Sequence, residues 1–172
     1  MGPGLLIKSV TRQYFSLMVF GFSQVVMDTE VLFHMARRDE TVHGFNHTYL
    51  GATLVAVISV LIGRPFCQFL LNRWIPPADS SFEKWIRDPK NISWVAAISG
   101  AFLGTYSHVF LDSIMHLDLH PLMPWSKDNT LLGLISVESL HVFCIVSGFL
   151  GAIILLSLFY FKRSRAKKLK YD

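Results

Sequence analysis

A chain of 172 residues has the length of one soluble domain, but a hydrophobic share of 52%, a charged share of 16% and a mean hydropathy of +0.42 exclude one. The net charge of +4 comes largely from a C-terminal run, Lys162, Arg163, Arg165, Lys167, Lys168 and Lys170. Placed directly after the last apolar stretch, that run reads as an anchor beside anionic lipid, and no nucleic-acid partner is expected.

The first ten residues carry one Lys and no apolar core with a cleavage site, so a removable signal peptide is not expected. Four stretches have the ~20 apolar residues that a bilayer-spanning helix needs: 14–34, 49–71, 94–116 and 131–161. Gln24, Asp28 and Glu30 interrupt the first, and the last is longer than a bilayer requires. The expected fold is therefore all-α, an integral membrane bundle of about four transmembrane helices. Residues 1–161 form one domain and 162–172 a basic cytoplasmic tail.

Cys67 and Cys144 both fall within spans and read as small packing residues, with no disulfide framework or Cys-based zinc motif. The loop 72–93, with Pro76, Pro77 and Pro89, leaves room for a short amphipathic piece at 82–86. Gly100 and Gly104 are spaced for close helix packing and are weak grounds for a homo-oligomer.

Lys and Arg near span ends are retained in the cytoplasm. They crowd the N-terminus, the loop 72–93 and the tail, whereas the loops 35–48 and 117–130 offer only Arg37, Arg38 and Lys127. Both termini are thus expected in the cytoplasm. Every His then falls on the outer side: His34, His43, His47, His108, His116, His120 and His141, accompanied by Asp28, Glu30, Asp112, Asp118 and Glu138. His108, Asp112 and His116 are spaced by four and stack on one helical face, and Glu138 and His141 are spaced by three.

Carboxylates beside hydrocarbon are costly unless paired or neutralised by a cation. Imidazole with carboxylate suits zinc, manganese or iron, and a divalent ion also makes a nucleophile by lowering the pKa of bound water to ~7. A lone interfacial His is more often structural than a ligand, so His34 and His120 carry little weight by themselves.

The run from Ser107 and His108 to Asp112, followed by Pro121, Leu122, Pro124, Trp125 and Ser126, resembles the helix and downstream segment of the inner-membrane metal-dependent hydrolases, also labelled LexA-binding hydrolases. Asp28 and Glu30 resemble that family's paired acids, and Gly44 to Thr48 its Gly-x-Thr-His-Ser block. The blocks keep their order over about residues 24–126. Three positions depart: Met27 replaces a Pro, Glu30 an Asp and His43 an Arg.

A second likeness, to zinc-dependent phospholipase C and the S1/P1 nucleases, implies phosphoester hydrolysis. The resemblances imply a bacterial inner-membrane enzyme whose one to three divalent ions, zinc foremost, are held by Asp28, Glu30, His47, His108 and Asp112, with His43 a further candidate. Its substrate is expected to be a lipid or lipid-linked phosphoester, and Glu138 or His141 its acid or base. Two alternatives stay open: a haem-carrying electron-transfer subunit with axial His108 and His141, and a non-catalytic scaffold with a structural ion.

Overall fold

A computed structural model describes residues 2–73 and 91–171, with side chains as far as 161. Among them every regular element is helical: α1 (Gly2–Thr11), α2 (Leu17–Arg37), α3 (Tyr49–Ile58), α4 (Arg64–Arg73), α5 (Trp94–Met115) and α6 (Val137–Tyr171). The expected amphipathic piece at 82–86 lies outside the described residues.

The longer helices begin on hydroxyl caps. Ser16 Oγ accepts from Val19 N–H, Thr48 Oγ1 from Gly51 N–H and Ser93 Oγ from Ala96 N–H. Each satisfies an amide that the helix itself leaves without a partner, and replacing such a cap by Ala costs about 1 kcal/mol. Arg38, in the left-handed region at φ 60°, stops α2.

A π-helical turn at Ser59–Gly63 joins α3 to α4. Pro65 explains its position, because Pro has no N–H for the Leu61 carbonyl and its ring crowds that group. The turn leaves Tyr49–Arg73 a continuous rod of 25 residues.

Tyr49–Arg73, Trp94–Met115 and Val137–Phe161 are long and apolar enough to cross a membrane. Leu54, Ile58, Leu61 and Ile62 of the first and Phe143, Phe149 and Ile153 of the last are exposed on the protein surface. In water such faces would be unstable, whereas lipid covers them at no cost. The chain is a membrane protein.

The expected span 14–34 is present as α2, 21 residues long. It falls outside that set of three because of its polar residues. Instead it is held at the heart of the bundle, with Val19, Phe20 and Met27 buried.

Gly100 and Gly104 make that position possible. A Cβ on Gly100 would lie 2.6 Å from the Ser16 carbonyl oxygen, and one on Gly104 would collide with Ser23 Oγ. The pair therefore serves close packing of α5 on α2 within one chain, as the spacing predicts.

Two ends differ from the expectation. Residues 131–136 are not helical and α6 starts at Val137, because the chain first returns to α5 through Gly133 N–H to the Ile114 carbonyl, at 3.0 Å. At the other end the helical backbone continues through the basic tail to Tyr171, since no Gly or Pro follows Gly151. The helix α1 carries no apolar run long enough to stand out in the sequence, and it packs against α6.

Two apolar clusters fill the bundle. Val19, Ala56, Val60, Cys67, Leu71, Ile92, Ala96, Ala97 and Ala101 form the larger, and Met27, Ala52, Val55 and Val109 the smaller. Cys67 is buried there as the packing residue the sequence suggests. The smaller cluster sets the site, since burying Met27 and Val109 places their neighbours Asp28 and His108 at its edge.

Candidate metal centre

The second half of α2, the segment just before α3 and the last turns of α5 meet in a concentration of imidazoles and carboxylates. His108 Nε2 lies 3.1 Å from Asp28 Oδ1 and 3.0 Å from Asp112 Oδ2. His47 Nε2 lies 3.9 Å from Asp112 Oδ2. The His47 and His108 ring centroids are 5.3 Å apart. His47 is 1% exposed, and Asp28, whose side chain is 51% exposed, forms the open edge.

Both Nε2 atoms are buried, yet neither has a hydrogen-bond partner. The carboxylate oxygens near His108 are close enough, but lie off the direction in which a ring N–H would point. Atoms gathered around a common cation are expected to behave this way, aiming at the cation and not at one another. A tetrahedral zinc with bonds of about 2.0–2.1 Å sets neighbouring ligand atoms roughly 3.3 Å apart. Leaving the buried His47 Nε2 without a hydrogen bond costs about 1–3 kcal/mol, a cost that coordination removes. With nitrogen and oxygen donors and no sulfur, these residues fit a zinc, manganese or iron ion.

Glu30 stands behind His47. Its Oε2 accepts the Asn46 amide N–H at 2.9 Å and lies 3.2 Å from His47 Nδ1. An ionised carboxylate only accepts, so Nδ1 carries the proton and Nε2 of the neutral ring presents its lone pair inward. Carboxylates in this position orient metal-binding histidines. The approach requires Gly44, because a Cβ there would lie 2.6 Å from Glu30 Oε1. Glu30, expected as a ligand, belongs to none of the three groups that, among the described residues, are close enough to hold an ion: Asp28, His47 and His108; His43, His47 and Asp112; and His43, His116 and Asp118.

The loops after α2 and α5 repeat the arrangement. His43 Nδ1 donates to Asp118 Oδ1 at 2.9 Å, while Asp118 Oδ2 accepts the amides of Val42 and His43 at 2.9 and 3.2 Å. Burial pushes the Asp118 carboxyl up, but these N–H groups and the His43 ring outweigh it and hold it down at about 2. Burial dominates for His43 and lowers its pKa, against the pull of Asp118. The ring therefore favours its neutral form.

The predicted three-deep stack of His108, Asp112 and His116 stops short. α5 ends at Met115, and His116, in extended backbone at φ −109° and ψ 123°, leaves the helix. Its ring turns to His43, with the centroids 4.2 Å apart. His43 and His47 also precede α3, so a 3-10 turn and not the helix brings their rings to 5.0 Å.

Of the other histidines, His34 pairs with Asp39 at 2.7 Å and His120 Nδ1 with the Lys127 carbonyl at 2.6 Å. Neither belongs to the three groups, nor do Glu138 and His141, which are exposed on the first turns of α6. Of the pair considered as axial ligands, His108 Nε2 lies beside Asp28 and Asp112 and His141 is exposed on α6. Asp118 was absent from the expected ligands. It lies in a loop, where spacing carries no signal.

Comparison with known proteins supplies no relative: no family profile, curated sequence or solved structure matches the chain.

Proposed function

We propose that this protein is a membrane-embedded metal-dependent hydrolase that cleaves a phosphoester of a lipid or lipid-linked substrate. Asp28, His47, His108 and Asp112 hold its divalent ion, zinc in first place. The observation that carries the reading is the pair of buried, unpartnered Nε2 atoms, on His47 and His108, beside the Asp28 and Asp112 carboxylates. When bound, such an ion supplies concentrated positive charge and makes water nucleophilic near neutral pH.

The chain's own residues do the rest. Glu30 holds the proton on His47 Nδ1 and so fixes the ring, Asp112 spans the two imidazoles, and Met27, Ala52, Val55 and Val109 close the floor against water. The open side at Asp28 is the approach for a substrate. The distribution of Lys and Arg favours cytoplasmic termini and a site at the outer rim of a bacterial inner membrane, which is why a lipid headgroup suits it. Phosphoester chemistry rests on the likeness of the His108 and Asp112 helix to zinc-dependent phospholipase C and the S1/P1 nucleases. Glu138 and His141 have no part in this reading.

The test is metal analysis of the purified full chain together with hydrolysis of bis(p-nitrophenyl) phosphate and of phospholipid vesicles. A bound divalent metal, reduced by His108→Ala and Asp112→Ala, is expected, with hydrolysis falling at least ~100-fold in both variants. An intact protein that binds no divalent metal would end the proposal.

A further inference from the structure

The charged side chains divide between the two ends of the bundle. Among the described residues every Asp and Glu lies toward the imidazoles: on the second half of α2, in the loops after α2 and α5, on the last turns of α5 or at the start of α6. The opposite end, where the Ser16 N–H meets the Ala96 carbonyl, carries Lys8, Arg12, Arg64 and Arg73 and no described carboxylate. Trp94 opens α5 there, roughly 21 Å from His108 at ~1.5 Å rise per residue. The two ends thus lie near opposite faces of a hydrocarbon layer about 30 Å thick.

Arg64, half-buried at the start of α4, is held there on two sides. Its Nε donates to the Ile92 carbonyl at 2.8 Å, and its guanidinium carbon lies 4.2 Å from the centre of the Trp94 ring. One turn on, Gln68 Nε2 donates to Asn91 Oδ1 at 3.2 Å, which leaves the exposed Asn91 amide nitrogen as a further donor beside Ile92. A guanidinium has five N–H groups and keeps its charge. Here the Nε group is used, while among the described residues no hydrogen bond or ion pair engages the two terminal nitrogens.

Both contacts fix the guanidinium in advance, so little freedom is left to lose when a ligand binds. The terminal nitrogens of an Arg offer two parallel N–H bonds that match a pair of phosphate oxygens. Trp94 is 53% exposed, at the depth where aromatic side chains meet lipid headgroups. A cation beside hydrocarbon is costly without an anion to meet it, and the anion a membrane supplies at that depth is lipid phosphate. We propose that Arg64, backed by Trp94 and assisted by Asn91, binds the phosphate of an anionic phospholipid in the leaflet opposite the imidazole cluster. Arg12 and Arg73, exposed at the same end, favour a headgroup of net negative charge over a zwitterionic one. The site is independent of the proposed metal centre and of the hydrolase reading.

The experiment is native mass spectrometry of the full chain in detergent, with short-chain phosphatidylglycerol or phosphatidylcholine added. About 0.3 M ammonium acetate screens the basic tail. Wild type is expected to retain one phosphatidylglycerol at least ~5-fold more tightly than phosphatidylcholine. Arg64→Gln should weaken that binding at least ~10-fold. Arg64→Lys keeps the charge but not the paired donors, and should weaken it ~3-fold or more. Arg73→Gln removes the same charge from the same end and should change it less than ~3-fold.

Equal losses in Arg64→Gln and Arg73→Gln would overturn the proposal, because the lipid would then answer to the charge of the whole end and not to a site. Equal retention of the two lipids by wild type would overturn it too, and that comparison needs no variant to fold. Displacement of the lipid by an equal concentration of glycerol phosphate would likewise overturn it, since a soluble phosphate would then be the better ligand.

Discussion

The His47 side chain shows how much one residue is asked to do here. Its ring is buried, one nitrogen is held by Glu30, and the other is bare. Removing the charge behind the ring tests whether that hold matters. Glu30→Gln, which keeps the shape of the side chain, is expected to weaken zinc affinity about 10–100-fold in a competition titration. Gly44→Ala pushes a Cβ to within 2.6 Å of the Glu30 carboxylate and should shift affinity in the same direction without touching any ligand. The spacing of four made His108 and Asp112 legible in the sequence, while Asp28 and His47 were singled out chiefly by the resemblance, and the structure brings the four side chains together. The sequence did not separate Glu30, which stands behind His47, from the four residues proposed to hold the ion. That distinction depends on which oxygen meets which amide, and a side chain's neighbours across the chain leave no mark on local spacing.

At the level of elements, the fold depends on α5 lying close against α2. Gly100→Val forces side-chain atoms into the Ser16 backbone, and such overpacking is expected to cost about 1–3 kcal/mol. The loss should appear as a lower midpoint in detergent unfolding, while light scattering shows an unchanged oligomeric state, because the glycine face is already used within the chain. α3 with α4, α5 and the membrane part of α6 were readable as long apolar runs. The end of α5 was not. Nothing in the pattern after Asp112 marks Met115 as the last helical residue, and the turn out of the helix is favoured by contacts far along the chain, between Asn129 Nδ2 and the Ser113 carbonyl and between Gly133 and Ile114. The short α1 was missed because its role, packing on α6, is invisible without its partner.

For the whole molecule, the polar cluster lies at one end of a bundle whose exposed faces are apolar, so the site and the membrane together decide stability. Binding that favours only the folded state adds about 2.7 kcal/mol when ligand is at 100 times its dissociation constant. Chelation is therefore expected to lower the unfolding temperature of wild type by several degrees and that of Asp112→Ala hardly at all, as read by intrinsic fluorescence in detergent. The central claim is that an ion sits between the Nε2 atoms of His47 and His108. X-ray absorption at the zinc edge of the loaded full chain addresses it most directly. The account predicts a first shell of nitrogen and oxygen at about 2.0–2.1 Å with outer-shell scattering from imidazole that diminishes in His108→Ala. A sulfur shell near 2.3 Å, or a spectrum the same in wild type and His108→Ala, would contradict it.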